Sequence, residues 1–291
     1  MKILLIGANG QLGKDLLRVF TDDDQIIGVD IEDCDITKKE QIVHCIASKR
    51  PDAVINTAAW TDVPGCESND RKAFELNALG AKYVALACHA VNCKLMHIST
   101  DYVFDGEKNE PYTESDTPAP INVYGLTKYM AELYIRYVHP QHFIVRTSGL
   151  YGIHHCVGKK TNFVETMLRL GQEGGLVRVV NDERLAPTFT LNLARQLKQL
   201  IRREDYGLYH AVSHGSCSWF EFARKIFDIA GMRVPLEPIS VRDYNSPVRR
   251  PANSTLQNKR LQSLGIDIMN TWEEALEDYF LDRRNKPNPI N

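Results

Sequence analysis

The sequence predicts an α/β fold: a doubly wound parallel sheet followed by a smaller C-terminal lobe. Three observations predict it. At the N-terminus a short apolar strand runs straight into a glycine turn and an amphipathic helix. Four more short apolar runs recur up to residue 147, with helical patterns between them. The 291 residues exceed what one simple dinucleotide-type fold needs, which leaves material for a second lobe. Strands alternating with helices argue for a parallel sheet with ligands at the strand C-terminal ends.

Residues 1–6 carry Lys-Ile-Leu-Leu-Ile and lead into Gly7-Ala-Asn-Gly10-Gln-Leu-Gly13. Leu16, Leu17 and Phe20 continue as the apolar face of a helix. This order makes a Rossmann-like phosphate-binding unit. The glycines let backbone approach a pyrophosphate, and the amides of Gln11 and Leu12 face it at the positive helix end. The spacing is G-x-x-G-x-x-G, one residue off the common fingerprint.

A second strand, 26–29, ends in Asp30. A carboxylate there accepts hydrogen bonds from an adenosine ribose diol and repels a 2′-phosphate. Ile31-Glu32-Asp33 adds no cation, so the reading is NADH or NADPH with NADH favoured. Asp35 and Ile36 are placed to line the adenine, while Thr37 and Glu40 have capping-box spacing.

The third strand, 53–56, ends in Thr57-Ala-Ala59-Trp60-Thr61, and a long helix is expected over 71–89. The fourth strand, 94–99, ends in Ser99-Thr100-Asp101. Helix 123–138 and strand 142–147 complete a nucleotide-binding domain assigned to residues 1–150. Residues 151–291 are read mainly as the second lobe, with 182–215 rejoining the first domain. Its expected elements are helix 162–172, strand 177–180, helix 190–203, strand 208–212, and helices 219–230 and 271–279, with Trp272 on the core. Pro238 and Pro247 predict irregular structure over 235–251, and the tail 286–291 is expected to fray.

Tyr124 and Lys128 stand four residues apart and share one helix face. An ammonium beside a phenol favours the phenolate, so Tyr124 can give a proton to a carbonyl being reduced or take one from an alcohol. The glycine turn and the strand ends at 57–61 and 99–101 share one rim of the predicted sheet.

Composition narrows the rest. A net charge of −2 gives no general attraction to nucleic acid or an anionic membrane. The N-terminal apolar run is too short for a signal peptide or a membrane span. Seven scattered cysteines without C-x-x-C fit reduced thiols in the cytoplasm. Adjacent residues do not converge on one ion, so His154-His155-Cys156 is not read as a metal site. The sequence gives no reading on Mg²⁺ and leaves oligomeric state open, a homodimer included.

Ser99-Thr-Asp-Tyr-Val-Phe-Asp-Gly106, Pro120-Ile-Asn-Val-Tyr124-Gly-Leu-Thr-Lys128, Arg146-Thr-Ser148, Pro187-Thr188 and Arg250-Pro-Ala-Asn-Ser254 carry a resemblance. With the glycine turn, they make the chain similar to the extended short-chain dehydrogenase/reductases, and within them to the dTDP-4-dehydrorhamnose reductase family. The resemblance implies a C-terminal substrate-binding lobe and reduction of the C4 ketone of a 6-deoxyhexulose on a dTDP carrier, for polysaccharide biosynthesis. It implies hydride transfer from the nicotinamide, with Tyr124 supplying the proton and Lys128 tuning it and holding the nicotinamide ribose. Thr100 would hydrogen-bond the carbonyl oxygen, and Asp101 would order the strand end or touch the sugar. Ala59, Trp60 and Thr61 would run beside the cofactor. Asn77 would brace the site through a helix irregularity or serve as an interior polar residue. Asn162, Phe163 and Arg250 are the candidates for the nucleotide diphosphate, a guanidinium matching paired phosphate oxygens.

Three departures from that pattern concern the sugar. The family has Trp after Arg-Thr-Ser, and this chain has Gly149. Its D-Q-x-G-x-P-T loop reads Asp182-Glu183-Arg-Leu185-Ala-Pro187-Thr188 here, so both Gln and Gly are replaced. Another nucleotide-sugar reductase or an epimerase shares the Tyr/Lys pair. A non-catalytic regulatory subunit, like the methionine adenosyltransferase beta subunit, shares the expected fold but need not keep Thr100, Tyr124 and Lys128.

Overall fold

Side chains alternating between two buried faces build the central sheet. In β1 (Lys2–Ile6), Ile3 and Leu5 enter one helical layer, while Leu4 and Ile6 enter the other. β3 (Ala53–Asn56) divides Ile55 from Val54 in the same way, and β5 (His142–Thr147) divides Phe143 and Val145 from Ile144. Strands covered on both faces read as continuous apolar runs, which is why the sequence shows them. The computed structural model describes residues 1–20, 24–154 and 161–285. The expected frayed tail at 286–291, and His155 and Cys156, lie outside them.

β2 (Gln25–Val29) and β4 (Lys94–Thr100) complete the N-terminal strands. The short β6 (Leu150–Tyr151), β7 (Val177–Val180), β8 (Arg184–Leu185) and β9 (Thr188–Phe189) follow. After them come β10 (Gly207–His210), β11 (Cys217–Ser218) and β12 (Leu236–Ile239). The main sheet has the order β2-β1-β3-β4-β5-β10, every pair parallel. The expected doubly wound sheet is therefore present.

α1 (Gln11–Val19) lies on one face of this sheet. On the other lie α2 (Lys39–Lys49) and, after the short α3 (Val63–Ser68) and α4 (Asp70–Ala73), α5 (Ala81–Val91) and α6 (Val123–Val138). α7 (Phe163–Glu173) belongs to the second lobe, but α8 (Thr190–Ile201) packs Leu193, Leu197 and Leu200 into the layer of α1. The chain thus returns to the first body through α8 and β10. α9 (Trp219–Ala230), α10 (Val241–Tyr244), α11 (Lys259–Ser263) and α12 (Trp272–Asn285) follow. Tyr151, Phe189, Phe222, Trp272 and Tyr279 form the aromatic core of the second lobe.

Three expectations are corrected. The helix expected over 71–89 is interrupted by a π-helix, Phe74–Gly80, between α4 and α5. The capping box at Thr37 and Glu40 does not form. α2 starts at Lys39 with Lys38 at its N-cap and no side-chain cap, so Thr37 stands one position too early, where its amide and hydroxyl both donate to Asp35 Oδ1. Residues 235–251 are not wholly irregular, since they contain β12 and α10. β12 pairs only with β7, and on such an edge a proline needs no ladder hydrogen bond on its outer side.

Candidate active site

A cavity of about 690 Å³ opens at the C-terminal ends of β1, β3 and β4 and is lined on its other side by the second lobe. The N-terminus of α1 faces it. Gly7 has φ +83°, and a Cβ there would lie 2.7 Å from Thr57 Oγ1 and 2.9 Å from the Ala58 nitrogen. A Cβ on Gly13 would lie 2.3 Å from the Gly7 carbonyl oxygen. These two glycines are needed by the fold itself, whereas Gly10 leaves α1 without a side-chain cap. Uncapped amides opening into a cavity fit a dinucleotide pyrophosphate.

Gly7, Gly10, Gln11, Leu12, Gly13, Asp30, Asp35, Ile36, Ala59, Trp60 and Thr61 all line this cavity. Asp30 already accepts from the Asn9 amide through Oδ2 at 2.8 Å, which fixes its carboxylate at the tip of β2. Asn77 does not line the cavity; it sits behind the wall, 1% exposed. From the π-helix its Oδ1 accepts from the Trp60 amide at 2.8 Å, and its Nδ2 donates to the Trp60 carbonyl and to Thr127 Oγ1, both at 3.2 Å. It braces this wall of the cavity and α6 at once. Lys72 adds a cation over the Trp60 ring, 4.5 Å from its centre.

Tyr124 and Lys128 both reach the cavity from α6. Asn122 caps that helix, accepting from the Gly125 amide at 2.8 Å. A Cβ on Gly125 would lie 2.0 Å from the Tyr102 carbonyl oxygen, so only glycine lets α6 approach the end of β4 this closely. The rings of Tyr102 and Tyr124 meet edge-on, 6.0 Å apart.

Lys128 is 2% exposed. Its Nζ donates to the Ile98 carbonyl at 2.6 Å and lies 3.2 Å from His97 Nε2. Burial pulls the ammonium down to about 8, with Glu132 pulling it back up. Burial and the Lys128 charge hold His97 neutral, well below its ordinary range. Asn56 Oδ1 accepts from the Ala58 amide at 3.1 Å, which turns its Nδ2 toward His97 Nδ1 at 3.3 Å. The Asn56 amide makes Nδ1 an acceptor, so Nε2 carries the single proton of the neutral ring. One turn further along α6, Glu132 accepts from Ser99 at 2.5 Å and from Arg146 at 2.9 and 2.6 Å, tying α6 to β4 and β5.

Thr100 lies at the end of β4, where its Oγ1 donates to Asp101 Oδ1 at 3.0 Å and accepts from the Tyr102 amide at 3.2 Å. Ser148 donates to the other Asp101 oxygen at 2.7 Å, and the nearby Ser254 hydroxyl, which donates to the Arg184 carbonyl at 3.5 Å, favours the carboxylate too. Burial pushes the Asp101 carboxyl up while the three hydroxyls pull it back. Asp101 therefore orders the strand end and ties it to the second lobe.

Asn162, Phe163 and Arg250 line the cavity from the second lobe. Asn162 caps α7, and its Nδ2 donates to the Gly152 carbonyl at 2.7 Å and to Gln11 Oε1 at 3.2 Å. Both its amide protons serve the protein, so its side chain joins the lobe to the glycine turn. Phe163 stacks in a wall with Phe222 and Trp219. The buried Nε of Arg250 has no hydrogen-bond partner. A desolvated guanidinium donor facing a cavity fits an anionic ligand.

Sequence reasoning missed Asn56, His97, Tyr102, Ser148, Glu183, Trp219 and Ser254 as site residues. Their roles come from partners far along the chain, and nothing in their spacing signals it. Tyr102, Ser148 and Ser254 carried a hint as members of the family motifs, and Glu183 as a departure from the family loop. Among the described residues no cluster of His, Cys, Asp or Glu could hold a metal ion, and no helix is long and apolar enough to cross a membrane.

Comparison with known proteins agrees with this geometry. The model of the RmlD substrate binding domain matches residues 1–285. The spore coat polysaccharide biosynthesis protein SpsK of Bacillus subtilis is 36% identical over 97% of this chain and 98% of its own. The dTDP-4-dehydrorhamnose reductase of Aggregatibacter actinomycetemcomitans is 35% identical over 95% of this chain and 97% of its own. Among solved structures, the dTDP-4-dehydrorhamnose reductase of Bacillus anthracis in complex with NADP superposes with a TM-score of 0.93 at 41% identity, covering 97% of this chain and 99% of that one.

Proposed function

The chain belongs to the RmlD substrate binding domain family, and from that premise we propose that it reduces the keto group of a dTDP-linked 6-deoxyhexulose with a nicotinamide cofactor. The reaction is reduction of dTDP-4-dehydrorhamnose to dTDP-L-rhamnose, a precursor step for polysaccharide. One observation carries the reading: a single cavity joins a glycine cradle, the Tyr124/Lys128 pair and the unpartnered guanidinium donor of Arg250.

Gly7, Gly10, Gln11, Leu12 and Gly13 hold the cofactor pyrophosphate, Asp30 the adenosine ribose, and Asp35 and Ile36 the adenine. Ala59, Trp60 and Thr61 form the side wall that Asn77 braces. The reduced nicotinamide supplies the hydride when bound. Tyr124 gives its phenolic proton to the oxygen that becomes the alcohol. Lys128 polarises that phenol and holds the nicotinamide ribose. Thr100 donates to the same oxygen and fixes its direction. Arg250 holds the diphosphate, while Asn162 and Phe163 form the wall beside it.

The carboxylate of Asp30, with Ile31-Glu32-Asp33 beside it, supports NADH as the preferred cofactor. The NADP complex of the Bacillus anthracis relative makes NADPH the competitor to measure. The six described cysteines are free thiols, which supports a reducing compartment, the cytoplasm.

The test follows NADH and NADPH oxidation with freshly generated dTDP-4-keto-6-deoxy-L-hexose, in the wild type and Tyr124→Phe. Turnover lost in the variant, with cofactor binding kept, is expected. A wild type that binds cofactor but does not turn over this ketone sinks the substrate. It favours another nucleotide sugar, the reading that Gly149 and Leu185 support.

A further inference from the structure

Glu183 is 5% exposed, yet it lines the same cavity as Tyr124 and Arg250. Its Oε1 is buried without a hydrogen-bond partner. A buried acceptor left unpaired is costly, and native proteins rarely keep one that no ligand satisfies. Its surroundings place it close to the reacting end. Tyr102, whose ring meets Tyr124, carries its hydroxyl within electrostatic reach of Asp101, Arg250 and Glu183 together.

The type of residue matters as much as its place. The glutamine of the family loop offers both a donor and an acceptor, whereas an ionised carboxylate only accepts. The apolar wall beside it is also this chain's own, because Leu185 and Gly149 stand where the family has Gly and Trp. Burial pushes the Glu183 carboxyl up and the Asp182 charge adds to it, while the Arg250 charge and the Trp219 indole pull it back.

We propose that Glu183 is a specificity-determining residue of the sugar subsite, accepting a hydrogen bond from a ring hydroxyl of the nucleotide sugar. This rests on the functional reading above and adds to it a substrate feature. The sugar must present a donor at that position, where a keto, ether or acylated group would face the carboxylate with lone pairs only. When acid protonates Glu183, the free acceptor becomes a donor and the preference weakens.

The experiment is calorimetric titration of the wild type, Glu183→Gln and Glu183→Ala with dTDP and with dTDP-L-rhamnose, between neutral and mildly acidic pH. Glu183→Ala is expected to bind dTDP-L-rhamnose at least tenfold more weakly and Glu183→Gln, which keeps an acceptor, only a few fold more weakly, with both binding dTDP within twofold of the wild type. Wild-type affinity for dTDP-L-rhamnose should fall with acid, and that of Glu183→Gln should stay flat. Equal losses for dTDP and dTDP-L-rhamnose would mean that Glu183 only steadies Arg250, and would overturn the proposal. Unchanged affinities, or no wild-type binding of dTDP-L-rhamnose, would overturn it as well. A wild type that binds dTDP-L-rhamnose but turns over no dTDP-4-keto sugar sinks the functional reading alone.

Discussion

Thr100 gives its one hydroxyl proton to Asp101, Oγ1 to Oδ1 at 3.0 Å, and accepts from the Tyr102 amide. A threonine hydroxyl has a single proton. To hydrogen-bond a ketone it must turn away from Asp101, which keeps Ser148 as a donor at its other oxygen. The strand end therefore survives the switch. Thr100→Val should lower kcat on the order of 10²-fold, the scale of one lost oxyanion donor, while Thr100→Ser keeps most of the activity. A Thr100→Val variant with wild-type kcat in the NADH oxidation assay would remove Thr100 from the chemistry.

Lys128 predicts a pH dependence. The unfolded chain holds its proton with a pKa of 10.5 and the folded chain with one of about 8. Between those values the unfolded state binds more protons, so this group makes stability rise with pH. The penalty, about 3 kcal/mol at roughly 1.4 kcal/mol per pKa unit, is present in full at and below neutral pH and vanishes above the unfolded pKa. Lys128→Met removes it. Urea unfolding from pH 7 to pH 10 should show the wild type gaining about 2 kcal/mol on the variant. Parallel stability curves would mean that the folded pKa is not depressed.

Beneath Lys128, Glu132 and Arg146 form a bidentate ion pair with both side chains 1% exposed. Removing one partner leaves the other charge buried and uncompensated. Arg146→Met should cost about 3–5 kcal/mol of unfolding free energy, and the pair Glu132→Leu/Arg146→Met much less than the single changes would sum to. Urea midpoints decide it. A single variant within about 1 kcal/mol of the wild type would show water reaching this pair.

The main sheet was legible because its strands are buried on both faces and show as unbroken apolar runs, as in Lys2–Ile6. The rim of the site was legible because glycine turns and the Tyr124/Lys128 spacing are local. The irregularity around Asn77 came only from the family resemblance, since the bonds Asn77 makes from the π-helix go to Trp60 and Thr127, far along the chain. His97 was illegible as a site residue for the same reason, since burial and partners from other elements define it and a strand histidine carries no mark of that. Glu183 showed only as a departure from the family loop. The box at Thr37 misled because α2 begins at Lys39, which puts Lys38 and not Thr37 at the cap.

Gly149 and Leu185 form a coupled exchange, which the last prediction tests. A Cβ at position 149 would lie 2.7 Å from Leu185 Cδ1 and 3.2 Å from Pro187 Cα, with φ at +54°. Leu185 is 4% exposed and cannot swing into solvent without losing its packing. Gly149→Trp alone, restoring the family residue, should therefore destabilise by about 2–4 kcal/mol, from overpacking together with the left-handed backbone. Leu185→Gly alone should cost about 2–4 kcal/mol through the cavity it leaves. Together they relieve each other's contact, and the double variant should recover at least about 1 kcal/mol over the sum. The backbone penalty at residue 149 stays, so recovery is partial. The double variant also regains an indole plane, and its KM for the dTDP-linked ketone should fall below that of Leu185→Gly. Strict additivity in urea unfolding would show that the two departures arose separately and that the sugar wall is not a unit.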